Sequence, residues 1–329
     1  MTDEYAVFRT LSPDQILDAV ESTGRLCDGR LLALNSYENR VYQVGIEDTA
    51  PIVAKFYRPA RWSDAAILEE HAFTLELEEQ EIPVVAPLRD ADGSTLLVHG
   101  PFRFALYPRR GGHSPELDNP RHLEQMGRFV ARLHALGEVR PFEHRPILSI
   151  EEFGEGARDW LLASDFIPAE LRTAYSSLTA DLLLRIRACF ARAGSPRILR
   201  LHGDFHPGNV LWTDAGPHVV DLDDARMGPA VQDLWMFLSG DRAYRTARLA
   251  DLLEGYTQFR DFDLRELNLV EALRTLRMMH YAAWLARRWD DPAFPRAFPW
   301  FGEPRYWEGH ILELREQAAL MDEPPLVWD

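Results

Sequence analysis

Apolar residues follow two different periods along this chain of 329 residues. In the first hundred residues they alternate or cluster in short runs, at residues 31–44, 52–57 and 102–107, which is typical of β-strands. From residue 116 onward they recur every three or four residues, as at 123–134, 160–190 and 249–259, and this spacing predicts amphipathic helices. The pattern predicts an α+β fold, with a small N-terminal antiparallel sheet followed by a larger, mainly helical part.

Capping residues mark the starts of two helices in the N-terminal part. Ser12 precedes a proline and Gln15, which together form the pattern of a capping box. Ser63 and Asp64 precede the segment "AAILEEHAFTLELEEQ" and predict a second helix that begins there. We therefore expect the N-terminal sheet to carry helices of its own.

The stretch "LRLHGDFHPGNVLWTDAGPHVVDLDDA" at residues 199–225 carries the densest set of candidate catalytic groups. Asp204 and Asn209 are separated by a tight loop with proline and glycine, which can aim both side chains into one cleft. Two apolar runs at 210–212 and 218–220 predict a hairpin that returns Asp221 to the end where Asn209 lies. In phosphoryl transfer, one carboxylate accepts the proton of the attacking hydroxyl, while an amide oxygen and a second carboxylate hold Mg²⁺ on the nucleotide. The stretch therefore predicts a kinase with Asp204 as base and with Asn209 and Asp221 as Mg²⁺ ligands.

A kinase also needs a strand lysine for the phosphates and a helix glutamate to pair with it. Lys55 lies in the apolar strand "IVAKFY", although strand alternation alone does not decide between a solvated and a cleft position. On the next helix, Glu70 is one turn from Phe73 and therefore faces inward. Glu69 is rotated by about 100° around that helix and is the alternative. We predict that Glu70 pairs with Lys55.

Two rival functions are compatible with part of this pattern. The alternation of His and Asp near residues 202–224 resembles the two-metal site of a phosphohydrolase. A hydrolase has no need of a strand lysine paired with a helix glutamate, and Asn209 suits a hard Mg²⁺ ion. A scaffold that binds nucleotide without catalysis usually loses the base or a metal ligand, and here Lys55, Asp204, Asn209 and Asp221 are all present. Both rivals are therefore less favoured than the kinase.

The sequence also resembles a known superfamily over nearly its whole length. "HGDFHPGN" and "VVDLDDA" resemble the aminoglycoside phosphotransferase and choline kinase superfamily. The strings "LNSYENRVYQV", "VAKFYRPARW", "GPAVQDLWMFLSGD" and "AWLARRWDDPAFPRAFPWF" resemble, more narrowly, bacterial Ser/Thr kinases built on that fold. The resemblance implies a two-lobed protein-kinase-like fold, with a nucleotide-binding lobe at 1–108 and a catalytic and acceptor-binding lobe at 109–329.

The resemblance extends the list of expected ATP-binding and metal-binding residues. Ser36 lies in a loop without glycine, "NSYEN", which from its composition alone reads as a simple turn; the resemblance implies that Ser36 contacts the nucleotide. Backbone groups near Leu106 and Tyr107, before the Pro- and Gly-rich residues 108–112, are expected to hold the adenine base. Asp223 is expected to hold a second Mg²⁺ through water.

Charge and cysteine content restrict partners and location. The net charge of −16, with no basic stretch to offset it, argues against a nucleic-acid partner. No apolar segment or leader suggests a membrane partner. Cys27 and Cys189 lie too far apart in sequence to suggest a disulfide framework, so we expect a cytoplasmic protein, and the resemblance implies a monomer.

Two buried polar residues are expected to support the catalytic loop. Asp233 follows an apolar stretch and precedes "LWMF", so we expect a buried carboxylate that accepts amide hydrogens from the Asp204 loop. His134 lies on the apolar face of a helix, and we expect a core histidine bonded to a backbone carbonyl.

The acceptor of the phosphoryl group is the least determined part of the hypothesis. The resemblance favours Ser/Thr residues of proteins, with autophosphorylation and a role in the bacterial stress response. A small hydroxyl compound of aminoglycoside, choline or homoserine type remains the alternative, because one fold hosts many acceptors. The aromatic residues 281–307 can either line the acceptor cleft or pack a helix against a loop.

Overall fold

In a computed structural model of the protein, residues 6–328 are described. The helices are α1 Ala6–Thr10, α2 Pro13–Glu21, α3 Asp64–Glu79, α4 Pro120–Gly137, α5 Gly156–Ala163, α6 Ala169–Ala193, α7 Arg242–Tyr256, α8 Val270–Arg287, α9 Ala293–Ala297 and α10 Pro304–Asp322. The strands are β1 Cys27–Ala33, β2 Arg40–Ile46, β3 Ile52–Phe56, β4 Leu97–His99, β5 Phe102–Pro108, β6 Ile198–Leu201, β7 Val210–Thr213, β8 Gly216–Val219 and β9 Arg226–Pro229. A π-helical turn, Glu151–Glu155, leads into α5.

The N-terminal sheet is antiparallel, with strand order β1-β2-β3-β5-β4. Its central strand β3 places Lys55 opposite Val41 of β2 and Ala105 of β5. The next residue of β3, Phe56, points to the opposite face of the sheet. Its ring packs against the Phe104 ring, with the two centroids 5.4 Å apart. Because each such buried side chain stabilises the fold by about 1.5–3 kcal/mol, this core holds the strand that carries Lys55 firmly in place.

The predicted helix starts are confirmed. Ser12 caps α2: its Oγ accepts a hydrogen bond from the Gln15 amide at 3.3 Å, and the Gln15 side chain accepts one from the Ser12 amide at 3.0 Å. Ser63 caps α3 by accepting from the Ala66 amide at 3.2 Å. Each cap contributes about 1 kcal/mol, which fixes where these helices begin.

The chain divides into two compact units. The first comprises Met1–Pro115, Phe142–Arg145 and Gly208–Ala225, and the second comprises Glu116–Pro141, Pro146–Pro207 and Arg226–Asp329. The segment that carries Asn209 and Asp221 belongs to the first unit, because hairpin β7–β8 bonds to neighbouring backbone there: Val85 donates to Val219 at 2.9 Å. The lobe boundary at residue 108 stays a prediction. The α+β class is confirmed, since a five-stranded antiparallel sheet organises the first unit and helices dominate the second.

Within the second unit, α4 and α7 approach unusually closely at two glycines. A Cβ atom added to Gly127 of α4 would meet the Leu252 carbonyl oxygen at 2.0 Å, and one added to Gly255 of α7 would meet the Glu124 carbonyl oxygen at 1.9 Å. No real Cβ atom tolerates such contacts, so both positions require glycine. The two helices consequently pack backbone against backbone.

The aromatic residues of the C-terminal third mostly pack on one another. Phe294, Phe301 and Trp307 are fully buried, and Phe301 and Trp307 have ring centroids 5.6 Å apart. This packing is the second of the two alternatives that the sequence allowed for these rings. Within residues 6–328, none of the helices combines the length and the apolar character needed to span a lipid bilayer.

Candidate active site

A cavity of about 350 Å³ opens in the first unit beside the central strand. This volume suits a small-molecule ligand, since such sites occupy about 300–1,000 Å³. Six of the predicted site residues line it: Ser36, Lys55, Glu70, Tyr107, Asn209 and Asp221. The structure therefore brings together residues that lie up to 185 positions apart in the chain (221 − 36).

Lys55 is buried in this cavity between two carboxylates. Its Nζ lies 2.9 Å from Asp221 Oδ1 and 3.2 Å from Asp223 Oδ1. Burial would lower the pKa of Lys55, but the charges of Asp221 and Asp223 outweigh burial and hold that pKa well above its usual value. Lys55 is consequently a fixed cation, as a phosphate-binding group must be.

Asn209 directly precedes β7 and Asp221 follows β8, so both lie at the open end of the hairpin, as predicted. The Val220 amide donates to the Asn209 carbonyl at 3.0 Å, which closes the open end of the hairpin. Asp221 then adopts a left-handed conformation, with φ of 63° and ψ of 61°, and its side chain stays 55% exposed. A non-glycine residue in this region is strained, and such strain is typical of functional positions. Two oxygen-bearing side chains thus face the same cavity.

Asp223 is fully enclosed, unlike Asp221. It accepts a hydrogen bond from Asn39 Nδ2 at 3.0 Å and forms an ion pair with Arg61. Burial raises its pKa, but the charges of Arg61 and Lys55 prevail and lower the pKa to about 2. Asp223 therefore anchors the cations around it, and its role as a ligand of a second Mg²⁺ stays a prediction.

The two candidate glutamates of α3 have different surroundings. Glu69 accepts backbone hydrogen bonds from residues 143–145, including one from the His144 amide at 2.8 Å. Glu70 is buried and lines the cavity, and burial raises its pKa to about 7 despite the opposing charge of Lys55. The nearest ion pairs of Lys55 are formed with the aspartates, so the Lys55–Glu70 pairing stays a prediction.

The predicted adenine-binding residues lie on β5. Tyr107 lines the cavity, and its hydroxyl is 3.1 Å from that of Tyr57. Leu106 is buried in the sheet, and its carbonyl accepts a hydrogen bond from the Leu88 amide at 2.7 Å. The contact of the base with either backbone stays a prediction.

In the second unit, Asp233 supports the turn that carries Asp204, as predicted. Its carboxylate accepts hydrogen bonds from the His202 amide at 2.8 Å and from the Gly203 amide at 2.9 Å. Gly203 has φ of 85°, a conformation that favours glycine. The predicted support of the Asp204 loop by Asp233 is confirmed. The positive φ at residue 203 explains why a glycine precedes Asp204.

His134 is a core histidine, but its predicted backbone-carbonyl partner was wrong. Its Nε2 lies 3.2 Å from Asp233 Oδ2 and its Nδ1 lies 2.9 Å from the Tyr256 hydroxyl. Burial lowers its pKa even though Asp233 opposes this shift, so the ring is neutral. Because a carboxylate only accepts, Nε2–H donates to Asp233 and Nδ1 accepts from Tyr256. The side chain thus extends the support of the Asp204 turn into α7.

Three arginines contribute contacts that the sequence analysis missed. Arg61 binds Asp223 and also Asp224, the latter at 2.7 Å. Arg145 donates a hydrogen bond to the Ala225 carbonyl at 2.7 Å, and its guanidinium group lies over the Trp62 ring. Arg277 of α8 contacts Asp204. Only Arg61 lies within a string that carried the family resemblance, and no local pattern marks the other two.

Comparison with known proteins identifies the family. The profile of the phosphotransferase enzyme family matches residues 30–270, more than two thirds of the chain. The chain belongs to the phosphotransferase enzyme family. This phosphotransferase is 45% identical over 326 residues to stress response kinase A of Escherichia coli K12 and to the serine/threonine protein kinase RdoA of Salmonella typhimurium, and each alignment covers 99% of this chain and 98% of the relative. The narrower resemblance inferred from the sequence strings is confirmed, and the protein is a kinase of this superfamily.

Solved structures show the same fold. The phosphotransferase superposes on amicoumacin kinase hAmiN, bound to AMP-PNP, Ca²⁺ and Ami, with a TM-score of 0.75 at 18% identity over 99% of this chain and 98% of the other. A spectinomycin phosphotransferase bound to ADP and spectinomycin gives a TM-score of 0.64 at 14% identity over 96% of each chain. The predicted two-lobed kinase-like fold is thereby confirmed.

The donor set of the cavity fits Mg²⁺ that arrives with a nucleotide. Mg²⁺ prefers oxygen ligands and is usually held by one or two carboxylates together with substrate phosphates. The half-exposed carboxylate of Asp221 and the amide of Asn209 match this preference. Within the described residues, no group of three or more His, Cys, Asp or Glu side chains forms a metal-binding cluster.

Proposed function

We propose that this phosphotransferase transfers the γ-phosphoryl group of ATP to Ser/Thr hydroxyls of proteins, including its own, in a bacterial stress response. The observation that carries the proposal is the buried Lys55 ammonium paired with Asp221 in a cavity that Asn209 also lines. A strand lysine and an Asn–Asp pair are the parts that kinases use for the triphosphate. The names of the relatives at 45% identity support a protein acceptor.

The first unit supplies the nucleotide site in this proposal. Lys55 binds the α- and β-phosphates, and Glu70 pairs with Lys55 once the phosphates separate it from the aspartates. The Ser36 hydroxyl and its loop cover the phosphates, while backbone groups at Leu106 and Tyr107 hold the adenine. The lining of the cavity by Ser36, Tyr107 and Glu70 supports this assignment.

Metal binding is assigned to the hairpin and the residues that follow it. Asn209 and Asp221 would hold Mg²⁺, and Asp223 would reach a second Mg²⁺ through water. When bound, the metal neutralises charge on the β- and γ-phosphate oxygens. Asn39 and Arg61 fix Asp223, so the carboxylate that follows Asp221 is held rigidly.

Asp204 is assigned as the base that orients the acceptor hydroxyl and takes its proton. Asp233 positions Asp204 through the two amides of the preceding turn. Catalysis of this kind depends on positioning and on preorganised charge, because the transferred group passes in line between two oxygens. The stiff support of the turn is therefore part of the proposed mechanism.

A small hydroxyl compound is the alternative acceptor, and a metal-dependent phosphohydrolase is the less favoured alternative activity. The solved neighbours named for amicoumacin, spectinomycin and aminopropanol share the fold at 14–18% identity.

The two cysteines, Cys27 and Cys189, are free thiols, which suits a reducing cytoplasm. A monomer is proposed from the family resemblance.

The proposal is tested by incubating the protein with labelled ATP and Mg²⁺ in three arms: alone, with a generic acidic or basic protein, and with a panel of amino alcohols. We expect label in protein, at Ser/Thr. Asp204→Ala should lower turnover by at least about 1,000-fold with little change in the Kd for ATP. The exposed turn variant Asp214→Ala is the matched control. Label only in amino alcohols would replace the protein acceptor by the alternative, and free phosphate as the sole product would favour the hydrolase.

A further inference from the structure

Arg277 of α8 contacts the proposed base directly. Its Nη1 pairs with Asp204 Oδ1, and 42% of the Arg277 side chain remains exposed. His206 Nε2 lies 3.5 Å from the other oxygen of Asp204. An acceptor hydroxyl that approaches Asp204 therefore meets a guanidinium group beside the base.

From Arg277 a stripe of four side chains follows α8 to the residue just after its end: Arg277, Tyr281, Trp284 and Arg288, of which Tyr281 is exposed and the other three are half-buried. Their spacing of four, three and four residues places them on one helix face. The Tyr281 and Trp284 rings stack with centroids 5.6 Å apart and planes 19° apart, and the Arg288 guanidinium lies 5.5 Å from the Trp284 ring. The stripe thus has a cation at each end and two stacked aromatic rings between them.

Packing from below makes this stripe rigid. The Trp284 ring meets the buried Phe294 ring with centroids 5.0 Å apart, and it meets Phe298 at 6.1 Å. The opposite side of α8 is buried at residues such as Leu276 and Met279. Because this packing restricts the movement of both α8 and the Trp284 ring, the stripe is preorganised to bind an extended ligand.

We infer that the α8 stripe binds an extended acidic segment of a protein acceptor, and this inference rests on the proposed function. Arg277 would pair with a carboxylate next to the acceptor Ser/Thr, and Arg288 would pair with a second carboxylate farther along. The eleven residue-to-residue steps from Arg277 to Arg288 correspond to about 16 Å along the helix axis, a distance that an extended peptide covers in about five residues. Apolar side chains between the two carboxylates would pack on Tyr281 and Trp284.

Charge complementarity favours this occupant over a cationic one. A guanidinium is always protonated and binds carboxylates in a planar, two-point fashion. Cationic groups such as those of choline or an aminoglycoside would be repelled by Arg277 beside the base. A carboxylate of the acceptor would instead compete with Asp204 for Arg277, and this competition would leave Asp204 able to take the hydroxyl proton.

The test uses the full-length protein, labelled ATP and synthetic Ser peptides. The acidic peptides carry Asp beside the Ser and Glu five residues away, in both chain directions, and the matched neutral peptides carry Asn and Gln there. We expect wild type to use one acidic direction with kcat/KM at least about 10-fold above its neutral counterpart. Arg277→Ala should reduce this ratio to near one, and Arg277→Lys should restore part of it. Arg315→Ala, an exposed arginine of α10, should keep the wild-type ratio.

A charge exchange at the far end of the stripe avoids any change beside the base. Arg288→Glu should weaken the acidic peptide mainly through KM, and it should improve a peptide in which Lys replaces the distant Glu. The KM of the acidic peptide for wild type should also rise with ionic strength, because exposed charges are screened. A neutral peptide should show neither effect.

The outcomes separate this inference from the proposed function. Wild type that labels the neutral peptides as well as the acidic ones overturns the inference and leaves a protein kinase. Equal acidic-to-neutral ratios for wild type and Arg277→Ala overturn the role of Arg277 in the same way. Label in amino alcohols, with none in any peptide, overturns both the inference and the protein acceptor.

Discussion

The Lys55 ammonium and the Asp221 carboxylate lie 2.9 Å apart, although 166 residues separate them in the chain. The two groups meet because the central strand of the sheet and the end of hairpin β7–β8 belong to one compact unit. Lys55 is buried and Asp221 is half exposed, so the lysine is fixed while the carboxylate remains reachable. This difference in exposure suits the proposed roles, in which Lys55 binds phosphate and Asp221 binds a metal ion.

Replacement of Asp221 by Asn should remove activity and the response to Mg²⁺ together. The charge that would hold the metal is lost, so we expect kcat to fall by at least about 100-fold. The measurement is a Mg²⁺ titration of ATP turnover. Asp214→Asn, at the exposed turn of the same hairpin, should behave as wild type. An unchanged Mg²⁺ titration in Asp221→Asn would remove Asp221 from the set of ligands.

Replacement of Asp223 by Asn should destabilise the fold. The change leaves the buried Lys55 and the mostly buried Arg61 with one counter-charge fewer, which costs about 3 kcal/mol in the free energy of unfolding. Asp224→Asn removes the more exposed partner of Arg61 and should cost less than about 1 kcal/mol. Urea denaturation at pH 7 measures both values, and equal losses would contradict the importance given to burial.

The same aspartate predicts how stability responds to acid. The pKa of Asp223 is lowered from 3.8 to about 2 in the folded protein. The native state therefore binds fewer protons than the unfolded chain, so this contribution is complete above pH 3.8 and is lost as the pH falls from 3.8 toward 2. Wild type should lose more stability than Asp223→Asn across that interval.

Glu70 should give the opposite pH dependence. Burial raises its pKa from 4.5 to about 7, so the native state retains a proton that the unfolded chain releases. The contribution to stability is complete below pH 4.5 and is lost as the pH rises toward 7, by up to about 1.4 kcal/mol per pH unit. Denaturation curves of wild type and Glu70→Gln between pH 4.5 and 8 should converge at the acidic end. A constant difference between the two proteins would refute the raised pKa.

Replacement of Asp233 by Ala should slow catalysis without weakening nucleotide binding. The amides of His202 and Gly203 lose their acceptor, so the Asp204 turn shifts and kcat should fall by about 100-fold. The Kd for ATP should stay within about twofold of wild type, because Asp233 supports the proposed base and not the proposed nucleotide site. Asp233→Asn keeps one acceptor oxygen and should recover part of the rate. Parallel losses of kcat and ATP affinity would assign Asp233 a merely structural role.

Local chemistry explains which parts of the structure were predictable. The Ser12 capping box, the Ser63 cap and the turn of hairpin β7–β8 each depend on residues a few positions apart. The Asp233 anchor was also predictable, because a carboxylate within an apolar stretch has to find buried donors. The backbone amides of a glycine turn are such donors.

Contacts between distant segments were not predictable in the same way. Arg277 reaches Asp204 from 73 residues away, and Arg61 reaches Asp223 from 162 residues away. Arginine is common on helix and loop surfaces, and periodicity does not reveal which arginine turns toward a carboxylate. The same applies to His134: its helix face was correct, but its partner Tyr256 lies 122 residues away.

The glycine contacts between α4 and α7 give this enzyme a vulnerable point at residues that do not line the candidate cavity. Gly255 directly precedes Tyr256, whose hydroxyl bonds to His134, and His134 in turn bonds to Asp233, which supports the Asp204 turn. A single methyl group at Gly127 or Gly255 would push the two helices apart. The hydrogen bonds that lead from Tyr256 through His134 to Asp233 would then be stretched. A survey of inactivating substitutions should therefore score these two chemically inert positions alongside the acidic residues that are proposed to perform the chemistry.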